Sequence, residues 1–304
     1  MEKNNNPNFF IVGPPKCAST SLHYYLNQHP DITLSEIKET HFFSLDYSEG
    51  IQSYLQKHFK NANTKIIGEA DPTYSFLFYP LLYLKENFPD AKLLYCLRNP
   101  VERAFSGWCM REAMGVEVLS FRKALENNAL AREKFTFKNN NSESVWINEQ
   151  RQIKTSNKLT IPTYIDAGLY GEMLKFAFSL FPKEQIKVIK FKDLSSNINE
   201  TLREIYDFLE VDNNVLIQDI STKNKYNKHN LKFLYNIFGK KRIIKLLKLF
   251  PESIGSKFKG VVFPEAKKPK LSDEDRKFAY QFFKDDIEVL ENLLGKSFEE
   301  WKVK

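Results

Sequence analysis

One lysine and three adjacent hydroxyl side chains stand close to the start of the chain, in a setting that suits anion binding. Residues 9–22 read FFIVGPPKCASTSL: an apolar run, a Gly-Pro-Pro turn, Lys16, and then Ser19, Thr20 and Ser21 at the start of a helical pattern. Such a stretch predicts a buried strand that delivers a loop and a helix N-terminus to one place. Free backbone N–H groups, an ammonium and several hydroxyls meet there, so it predicts a site for a phosphate-like anion.

The same stretch differs from the loop with which many proteins bind nucleotide phosphates. That loop reads GxxxxGK[ST], with its lysine at the helix start and a hydroxyl beside it for Mg²⁺. Here the lysine comes early, Ala18 stands in place of the second glycine, and a later apolar run ends at Arg98 rather than at an acidic metal ligand. The residues therefore predict an anion site built from cations and N–H groups, without a metal ion.

Short apolar runs alternate with helical patterns along the chain. Buried strands are predicted at 9–12, 65–69, 92–97 and 186–190. Helices are predicted between and after them, at 19–28, 51–59, 79–88, 100–114, 119–134, 168–181 and 198–209. This alternation is typical of an α/β fold with a parallel sheet covered by helices on both faces. Ligands of such sheets bind at the carboxyl ends of the strands, where the opening loop and Arg98 both fall.

Three other segments complete the sequence-based prediction of structure. Residues 31–46 are dense in polar groups and predict an irregular connection, and residues 136–160, rich in Asn, Ser and Lys, predict a mobile or substrate-facing insertion. Residues 272–295 predict one long charged helix that stops at Gly295, within a C-terminal segment over 272–304.

Composition narrows the class of protein. The 304 residues carry a net charge of +7, which favours anionic partners, although a solvated surface explains the charge equally well. Basic and acidic residues are mixed along the chain, so nucleic acid is not an expected partner. The three cysteines show no paired spacing for a metal, and no run of about 18 apolar residues predicts a membrane span. We expect a cytoplasmic protein.

Two motifs together resemble those of the PAPS-dependent sulfotransferase family. Residues 9–22 resemble its 5′-phosphosulfate loop, strand–GxxKxGTTSL–helix. Residues 93–108, LLYCLRNPVERAFSGW, resemble its 3′-phosphate motif, an apolar strand followed by R-[DN]-P-x-x-R-x-x-S. The resemblance implies a P-loop-like three-layer α/β fold and 3′-phosphoadenosine 5′-phosphosulfate (PAPS) as donor. It also implies in-line transfer of the sulfuryl group to a hydroxyl or amine, without metal.

The resemblance assigns roles on the donor side. Lys16 would grip the 5′-phosphosulfate and stabilise the charge that grows on the bridging oxygen. Arg98 and Ser106 would bind the 3′-phosphate, since they lie about two helical turns apart and reach one phosphate if the chain turns sharply at Asn99-Pro100. The 5′-phosphate would be bound by the residues that follow the lysine, namely Cys17, Ala18, Ser19, Thr20 and Ser21.

A second resemblance concerns the acceptor. Residues 38–43, KETHFF, resemble the KE-x-HFF segment of the heparan sulfate and related carbohydrate sulfotransferases. This implies Glu39 as the base that takes the acceptor's proton, with His41 as the second candidate and Glu69, at a strand end facing the same cleft, as the third. The acceptor stays open between a carbohydrate and a small molecule.

Two positions depart from the family pattern. In GEADPTY, residues 68–74, which resembles an acceptor-side turn, Asp71 stands where the carbohydrate enzymes often carry Lys-Thr or Ala-Ser before proline. Ala18 replaces a loop glycine, and its methyl group is expected to fit if the backbone there keeps a negative φ.

A third nucleotide segment is expected after the last core strand, where family members close a basic loop on the 3′-phosphate. Residues 221–230, STKNKYNKHN, occupy that place, and Lys223, Lys225 or Lys228 is the candidate ligand, with a solvated charge run as the alternative. The basic amphipathic pattern over 231–250 predicts a helix that either contacts an anionic glycan or a membrane surface, or packs on the core with a basic outer face.

The resemblance extends over nearly the whole chain, because residues 168–194 and the C-terminal segment also resemble prokaryotic members. We therefore expect residues 1–304 to form one sulfotransferase domain. Two other functions share the strand–loop–helix at the start: a P-loop nucleotide kinase-like enzyme, and a non-catalytic module that binds an anion or a glycan.

Overall fold

Five short strands form the centre of the molecule. The computed structural model describes residues 6–138, 141–156, 161–220 and 269–303. All strand pairs in the described chain are parallel, and the spatial order is β2-β3-β1-β4-β5. The strands are β1 (Phe9–Ile11), β2 (Ile32–Leu34), β3 (Ile66–Ala70), β4 (Lys92–Leu97) and β5 (Ile186–Lys190).

Helices cover both faces of the sheet, which confirms the predicted three-layer α/β fold. Within the described residues they are α1 (Ser19–Leu26), α2 (Ile51–His58), α3 (Phe78–Asn87), α4 (Pro100–Ala113), α5 (Phe121–Lys134), α6 (Ser142–Ser156), α7 (Tyr170–Leu180), α8 (Phe191–Ser196), α9 (Ile198–Leu209), α10 (Asp273–Tyr280) and α11 (Lys284–Leu294). A π-helical turn spans Phe42–Asp46, and short 3₁₀ turns span Tyr47–Glu49, Pro72–Ser75, Asp166–Gly168, Lys183–Gln185 and Glu299–Trp301.

The pleat of β1 divides the core into two clusters. Phe9 and Ile11 pack with α1 and α9 on one face, whereas Phe10 packs with α3, α4 and α7 on the other. Successive side chains of a strand point to opposite faces, so a continuous apolar run is what a strand buried on both sides requires. The central position of β1, between β3 and β4, brings the ends of these strands to the same edge.

Local sequence explains where α4 starts. Pro100 occupies its first turn, and the Asn99 side chain accepts hydrogen bonds from the backbone N–H groups of Val101 and Glu102. Proline needs no N–H partner there, and an asparagine cap satisfies two of the free N–H groups. The chain therefore turns sharply after Arg98, as the donor-side prediction requires.

Two predicted irregular segments contain regular structure. Within 31–46, Ile32–Leu34 pairs with β3 as an edge strand. Ile32 and Leu34 are buried, while Thr33 is only partly buried. Within 136–160, Ser142–Ser156 forms α6, whose buried residues include Trp146. The sequence does not show an apolar stripe here, because Trp146, which packs against Phe76 and Phe137, is the one large apolar side chain among the buried residues of α6.

The prediction of one long helix over 272–295 is wrong. The chain breaks between α10 and α11, where Phe283 is fully buried against Gly168. A Cβ on Gly168 would lie 2.6 Å from the Phe283 ring, so this approach needs a glycine. The break turns α11 along α7, where Asp286 accepts hydrogen bonds from the backbone N–H groups of Gly171 and Glu172. Gly295 ends α11 as predicted.

The predicted loop at 221–230, with its three candidate lysines, and the predicted helix at 231–250 lie outside the described residues. In the part of the chain that is described, no helix combines the length and the apolar character needed to cross a membrane. The cytoplasmic location and the single domain stay predictions.

Candidate active site

The opening loop lies directly against β4. A Cβ on Gly13 would come within 2.7 Å of the Cys96 backbone nitrogen, so only glycine allows this approach. The loop then leads into α1, whose first turn carries Ser19, which is buried, and Thr20 and Ser21, which are partly buried. The predicted strand–loop–helix is present.

The loop backbone twice enters the left-handed region. Lys16 has φ 73° and Ala18 has φ 64°, so the condition under which the alanine methyl group was expected to fit, a negative φ, is not met. Ala18 accepts this conformation as the residue before α1, where its carbonyl receives the hydrogen bond of Leu22. Alternation of left- and right-handed residues makes consecutive N–H groups converge into a concave anion site. The alanine methyl group costs about 1 kcal/mol relative to glycine in such a position.

Tyr170, at the start of α7, joins the opening loop to the end of β4. Its hydroxyl donates to the Arg98 carbonyl at 2.8 Å and lies 3.8 Å from the Cys17 sulfur. Burial raises the pKa of the Cys17 thiol, so this group is a neutral packing contact rather than a nucleophile. The structure therefore brings together the two segments that the sequence assigns to one donor, through a residue that the sequence analysis did not select.

Lys16 reaches over α4. Its ammonium contacts the Met110 sulfur at 3.5 Å. Met110 and Ser106 are four residues apart on α4 and so share one face of that helix. The lysine thus lies on the same side of α4 as the predicted phosphate ligand Ser106, which is itself mostly buried.

Arg98 borders a cavity of about 280 Å³ at the carboxyl ends of β4 and β5. Its guanidinium stacks on the Phe191 ring, 4.9 Å from the centroid, and pairs with Glu102 at 3.3 Å. The buried Nε of Arg98 has no hydrogen-bond partner among the described residues. The cavity is lined by Leu97, Arg98, Asn99, Glu102, Lys190, Phe191, Lys192, Ser195, Arg276, Glu300 and Trp301.

A second arginine lies behind the loop and was missed by the sequence analysis. Arg103 is only 2% exposed, and its guanidinium donates to the Tyr164 carbonyl. Burial lowers the pKa of Arg103, yet an arginine stays charged at any physiological pH. Its charge also counters the effect of burial on the Cys17 thiol, which places it close behind the loop. The sequence did carry a signal for this residue, because Arg103 is the second arginine of the R-N-P-x-x-R motif.

On the other side of the site, residues 38–44 are fastened to the end of β3. The Glu39 N–H donates to the Ala70 carbonyl at 3.1 Å, and the Thr40 hydroxyl donates to the Glu69 carboxylate. Glu39 and His41 both have positive φ, 63° and 57°. Strained backbone of this kind persists where surrounding contacts impose it, and it concentrates at functional sites.

Glu39 and His41 face the same space and touch each other. Glu39 Oε2 lies 3.9 Å from His41 Nε2, and Glu39 Oε1 pairs with the Lys38 ammonium at 2.5 Å. His41 Nδ1 lies 2.9 Å from Asp71 Oδ2. Burial alone lowers the pKa of His41, but the carboxylates of Asp71, Glu39 and Glu69 together outweigh it, so the net pKa is raised. The first two candidate bases thus form one pair.

Glu69, the third candidate, is fully buried. Its carboxyl group accepts hydrogen bonds from Thr40 and, at 3.1 Å, from the Tyr74 hydroxyl. Burial, reinforced by the charge of Asp71, raises the pKa of Glu69 to about 7. Since no part of Glu69 is exposed, it anchors residues 38–44 and does not itself face an acceptor.

Comparison with known proteins finds sulfotransferases among the relatives of this chain. Kil1, a membrane-associated sulfotransferase of Dictyostelium discoideum, is 29% identical over 265 residues, covering 67% of this chain and 56% of the relative. Human carbohydrate sulfotransferase 15 is 25% identical over 252 residues, covering 67% of this chain and 44% of the relative. The chain thus spans about half the length of these curated relatives.

The fold comparison agrees. The crystal structure of a sulfotransferase from Alicyclobacillus acidocaldarius superposes with a TM-score of 0.67 at 25% identity, over 97% of this chain and 98% of that one. The family model described as "Sulfotransferase domain" matches residues 6–246. Because that match spans most of the chain, the resemblance drawn from the motifs is confirmed: the protein belongs to the sulfotransferase family.

Proposed function

We propose that the protein transfers the sulfuryl group of PAPS to a hydroxyl or amine of an acceptor. The observation that carries the proposal is the junction at Tyr170, where the opening loop with Lys16 and the strand end with Arg98 meet. Two cationic segments at one edge of a parallel sheet suit a donor with anionic groups at both ends.

The residues fit the 3′-phosphate end of such a donor. A buried Nε without a partner among the described residues is costly even on the half-buried Arg98, and a phosphate oxygen would satisfy it. Lys192 adds positive charge to the same cavity, in which Lys190 is paired with Glu300 at 2.8 Å, and the Phe191 ring offers a face for stacking. Arg98, with Ser106 on the adjoining helix, is the proposed anchor of the 3′-phosphate.

The opening loop suits the reacting end. We assign the 5′-phosphate to the converging N–H groups of residues 16–21 and to the hydroxyls of Ser19, Thr20 and Ser21. The acceptor oxygen attacks sulfur, and the bond from sulfur to the bridging oxygen breaks. Lys16 then stabilises the negative charge that develops on that oxygen. Glu39 takes the acceptor's proton, with His41 beside it.

The relatives support a carbohydrate acceptor. Human carbohydrate sulfotransferase 15 and the human bifunctional heparan sulfate N-deacetylase/N-sulfotransferase 2, which is 26% identical over 214 residues, both carry names that refer to glycans. Residues 38–43 resemble the corresponding segment of such enzymes. A carbohydrate hydroxyl or amine is therefore the first acceptor class to screen, ahead of small molecules.

The direct test measures transfer of radiolabelled sulfate from PAPS to glycans, lipids and phenols. The wild-type protein is expected to label at least one acceptor, and Arg98→Ala is expected to raise the KM for PAPS at least tenfold. Lys123→Ala, which removes an exposed lysine that pairs with Glu126, serves as the matched control and should behave like wild type. Equal KM values for Arg98→Ala and the control would contradict the donor site.

Each of the two alternative functions predicts a different experimental result. A nucleotide kinase-like enzyme would be stabilised in a thermal-shift experiment by ATP with Mg²⁺ more than by adenosine 3′,5′-bisphosphate. A non-catalytic binding module would be stabilised by the bisphosphate while labelled sulfate never reached any acceptor. A sulfotransferase satisfies neither description, because it prefers the bisphosphate and labels an acceptor.

A further inference from the structure

We propose that Asp71 is a positioning residue: it orients the His41 ring so that Nε2 receives, by way of Glu39, the proton that leaves the acceptor. The inference rests on the proposed function, because it assigns the proton path of that same reaction. It uses a residue at which this chain departs from the carbohydrate enzymes it resembles.

The Asp71 carboxylate is locked in place. It is buried, and its Oδ1 accepts hydrogen bonds from the Thr73 N–H at 2.9 Å and from the Thr73 hydroxyl at 2.6 Å. Its Oδ2 accepts the His41 N–H at 3.0 Å and lies 2.9 Å from His41 Nδ1. One carboxylate oxygen therefore accepts a hydrogen bond from the His41 backbone and lies against the His41 ring, where the 2.9 Å contact with Nδ1 is electrostatic and lacks hydrogen-bond alignment.

This contact sets which ring nitrogen is available. The negative charge of a carboxylate oxygen 2.9 Å from Nδ1 favours the neutral imidazole that carries its hydrogen on Nδ1, so the lone pair lies on Nε2. The Nε2 side of the ring points outward, since the His41 side chain is 35% exposed while that of Asp71 is wholly buried. Nε2 is also the atom nearest to Glu39, at 3.9 Å.

The proton path balances with the groups present. The acceptor oxygen forms its bond to sulfur as the bond from sulfur to the bridging oxygen breaks, and adenosine 3′,5′-bisphosphate leaves. The acceptor's proton passes to the Glu39 carboxylate and then to Nε2 of His41. The resulting imidazolium lies against Asp71, whose negative charge stabilises it in the same way as a buried aspartate stabilises a catalytic histidine.

The charges that surround His41 favour this imidazolium. The carboxylates of Glu39, Glu69 and Asp71 all raise its pKa, and together they outweigh the opposite effect of burial. The neighbouring cation, Lys38, is paired with Glu39 rather than directed at the ring. Glu69 acts without contact, since its oxygens are taken by Thr40 and Tyr74.

The first test follows the His41 ring itself by NMR in the protein without ligands. The chain has five histidines, and the His41→Gln variant identifies the His41 ring signal by its loss. Its titration midpoint is expected above the ordinary value of about 6.5, and Asp71→Asn should lower it by about one unit or more. Asp286→Asn removes another buried carboxylate, which caps α7, and should leave the midpoint unchanged. An unchanged midpoint in Asp71→Asn would overturn the proposal.

A milder variant covers the case in which Asp71→Asn does not fold. Thr73→Val deletes the hydroxyl that holds Oδ1 and keeps the backbone N–H. We expect a smaller downward shift of the His41 midpoint, because the carboxylate remains but is held less firmly. A midpoint equal to that of wild type in this variant, with Asp71→Asn unfolded, would count against a positioning role.

The second test measures whether the contact between Asp71 and His41 contributes to the reaction. Asp71→Asn should lower kcat about tenfold to a hundredfold, with a KM for the acceptor near that of wild type, and move the acidic limb of the pH–rate profile to lower pH. Asp71→Glu should recover part of the rate. If the NMR midpoint shifts but kcat and the limb do not, the contact is real and the proton path is wrong. If no variant or wild type transfers sulfate, the NMR result still decides the contact.

Discussion

The two sides of the site are built from opposite charges on different supports. The donor side, residues 13–21 with Arg98, presents cations and N–H groups on the loop between β1 and α1 and at the end of β4. The acceptor side, residues 38–44 with Glu69 and Asp71, presents carboxylates fixed to the end of β3. Cations suit binding an anion, and carboxylates beside a histidine suit accepting a proton. Under the proposed function, this contrast divides the work of sulfuryl transfer between two separate segments.

Both sides hold strained backbone. The non-glycine residues with positive φ in the described chain are Lys16, Ala18, Glu39, His41 and Glu210, so four of these five lie in the two segments of the site. Such residues cost about 1–3 kcal/mol each and persist only where neighbouring contacts impose them. On the donor side, the close packing of Gly13 on β4 imposes the positive φ of Lys16 and Ala18. On the acceptor side, the buried carboxylates impose the positive φ of Glu39 and His41.

The largest effect is expected on the donor side. Lys16→Ala should lower kcat by a factor on the order of 10³, because the charge on the bridging oxygen then develops without its ammonium partner. Sulfate transfer under saturating donor measures this loss, and circular dichroism checks that the fold persists. A variant that keeps the wild-type kcat would remove Lys16 from the chemical step.

A smaller loss is expected on the acceptor side. Glu39→Gln should lower kcat about a hundredfold with donor affinity nearly unchanged, because a base contributes to proton transfer and not to donor binding. Equilibrium binding of adenosine 3′,5′-bisphosphate measures the affinity. If the rate is unaltered, the base is His41 acting alone; if donor affinity falls with the rate, the two sides are not separate.

The buried carboxylate of the acceptor side predicts a pH-dependent stability. In the folded protein Glu69 keeps its proton up to a pKa of about 7, whereas its ordinary pKa is 4.5. The folded state therefore binds more protons than the unfolded chain between these values, and the free energy of unfolding falls as pH rises through that window. The difference corresponds to about 3 kcal/mol.

Urea denaturation of wild type and Glu69→Gln at pH 4.5, 6 and 8 measures this effect. The variant should lose less stability than wild type between the lowest and the highest pH, because a glutamine has no proton to release. The raised pKa of His41 adds a fall of the same sign, and the variant keeps the part of it that comes from Asp71 and Glu39. Parallel curves for the two proteins would show that Glu69 does not titrate in this range.

The donor side was predicted more completely than the acceptor side, and the reason is local. A strand, a turn and a helix start occupy one continuous stretch, so their local structure can be predicted from residues 9–22, and Arg98 follows a strand that pairs with β1. The contact of Asp71 with His41 joins residues thirty positions apart and depends on how β3 meets the loop. Tyr170 was missed because, in the sequence, it reads only as part of an amphipathic helix.

The smallest effect tests the strain on the donor side. Ala18→Gly should raise the free energy of unfolding by up to about 1 kcal/mol, because glycine adopts φ 64° without a clash, although its greater freedom in the unfolded chain offsets part of the gain. The same change at Ala129, within α5, should lower stability by about 1 kcal/mol, since glycine is unfavourable in a helix interior. Denaturation at one pH compares the two. A loss at both positions would show that the loop does not strain Ala18, and the close packing of Gly13 on β4 would then shape the loop without storing energy in its backbone.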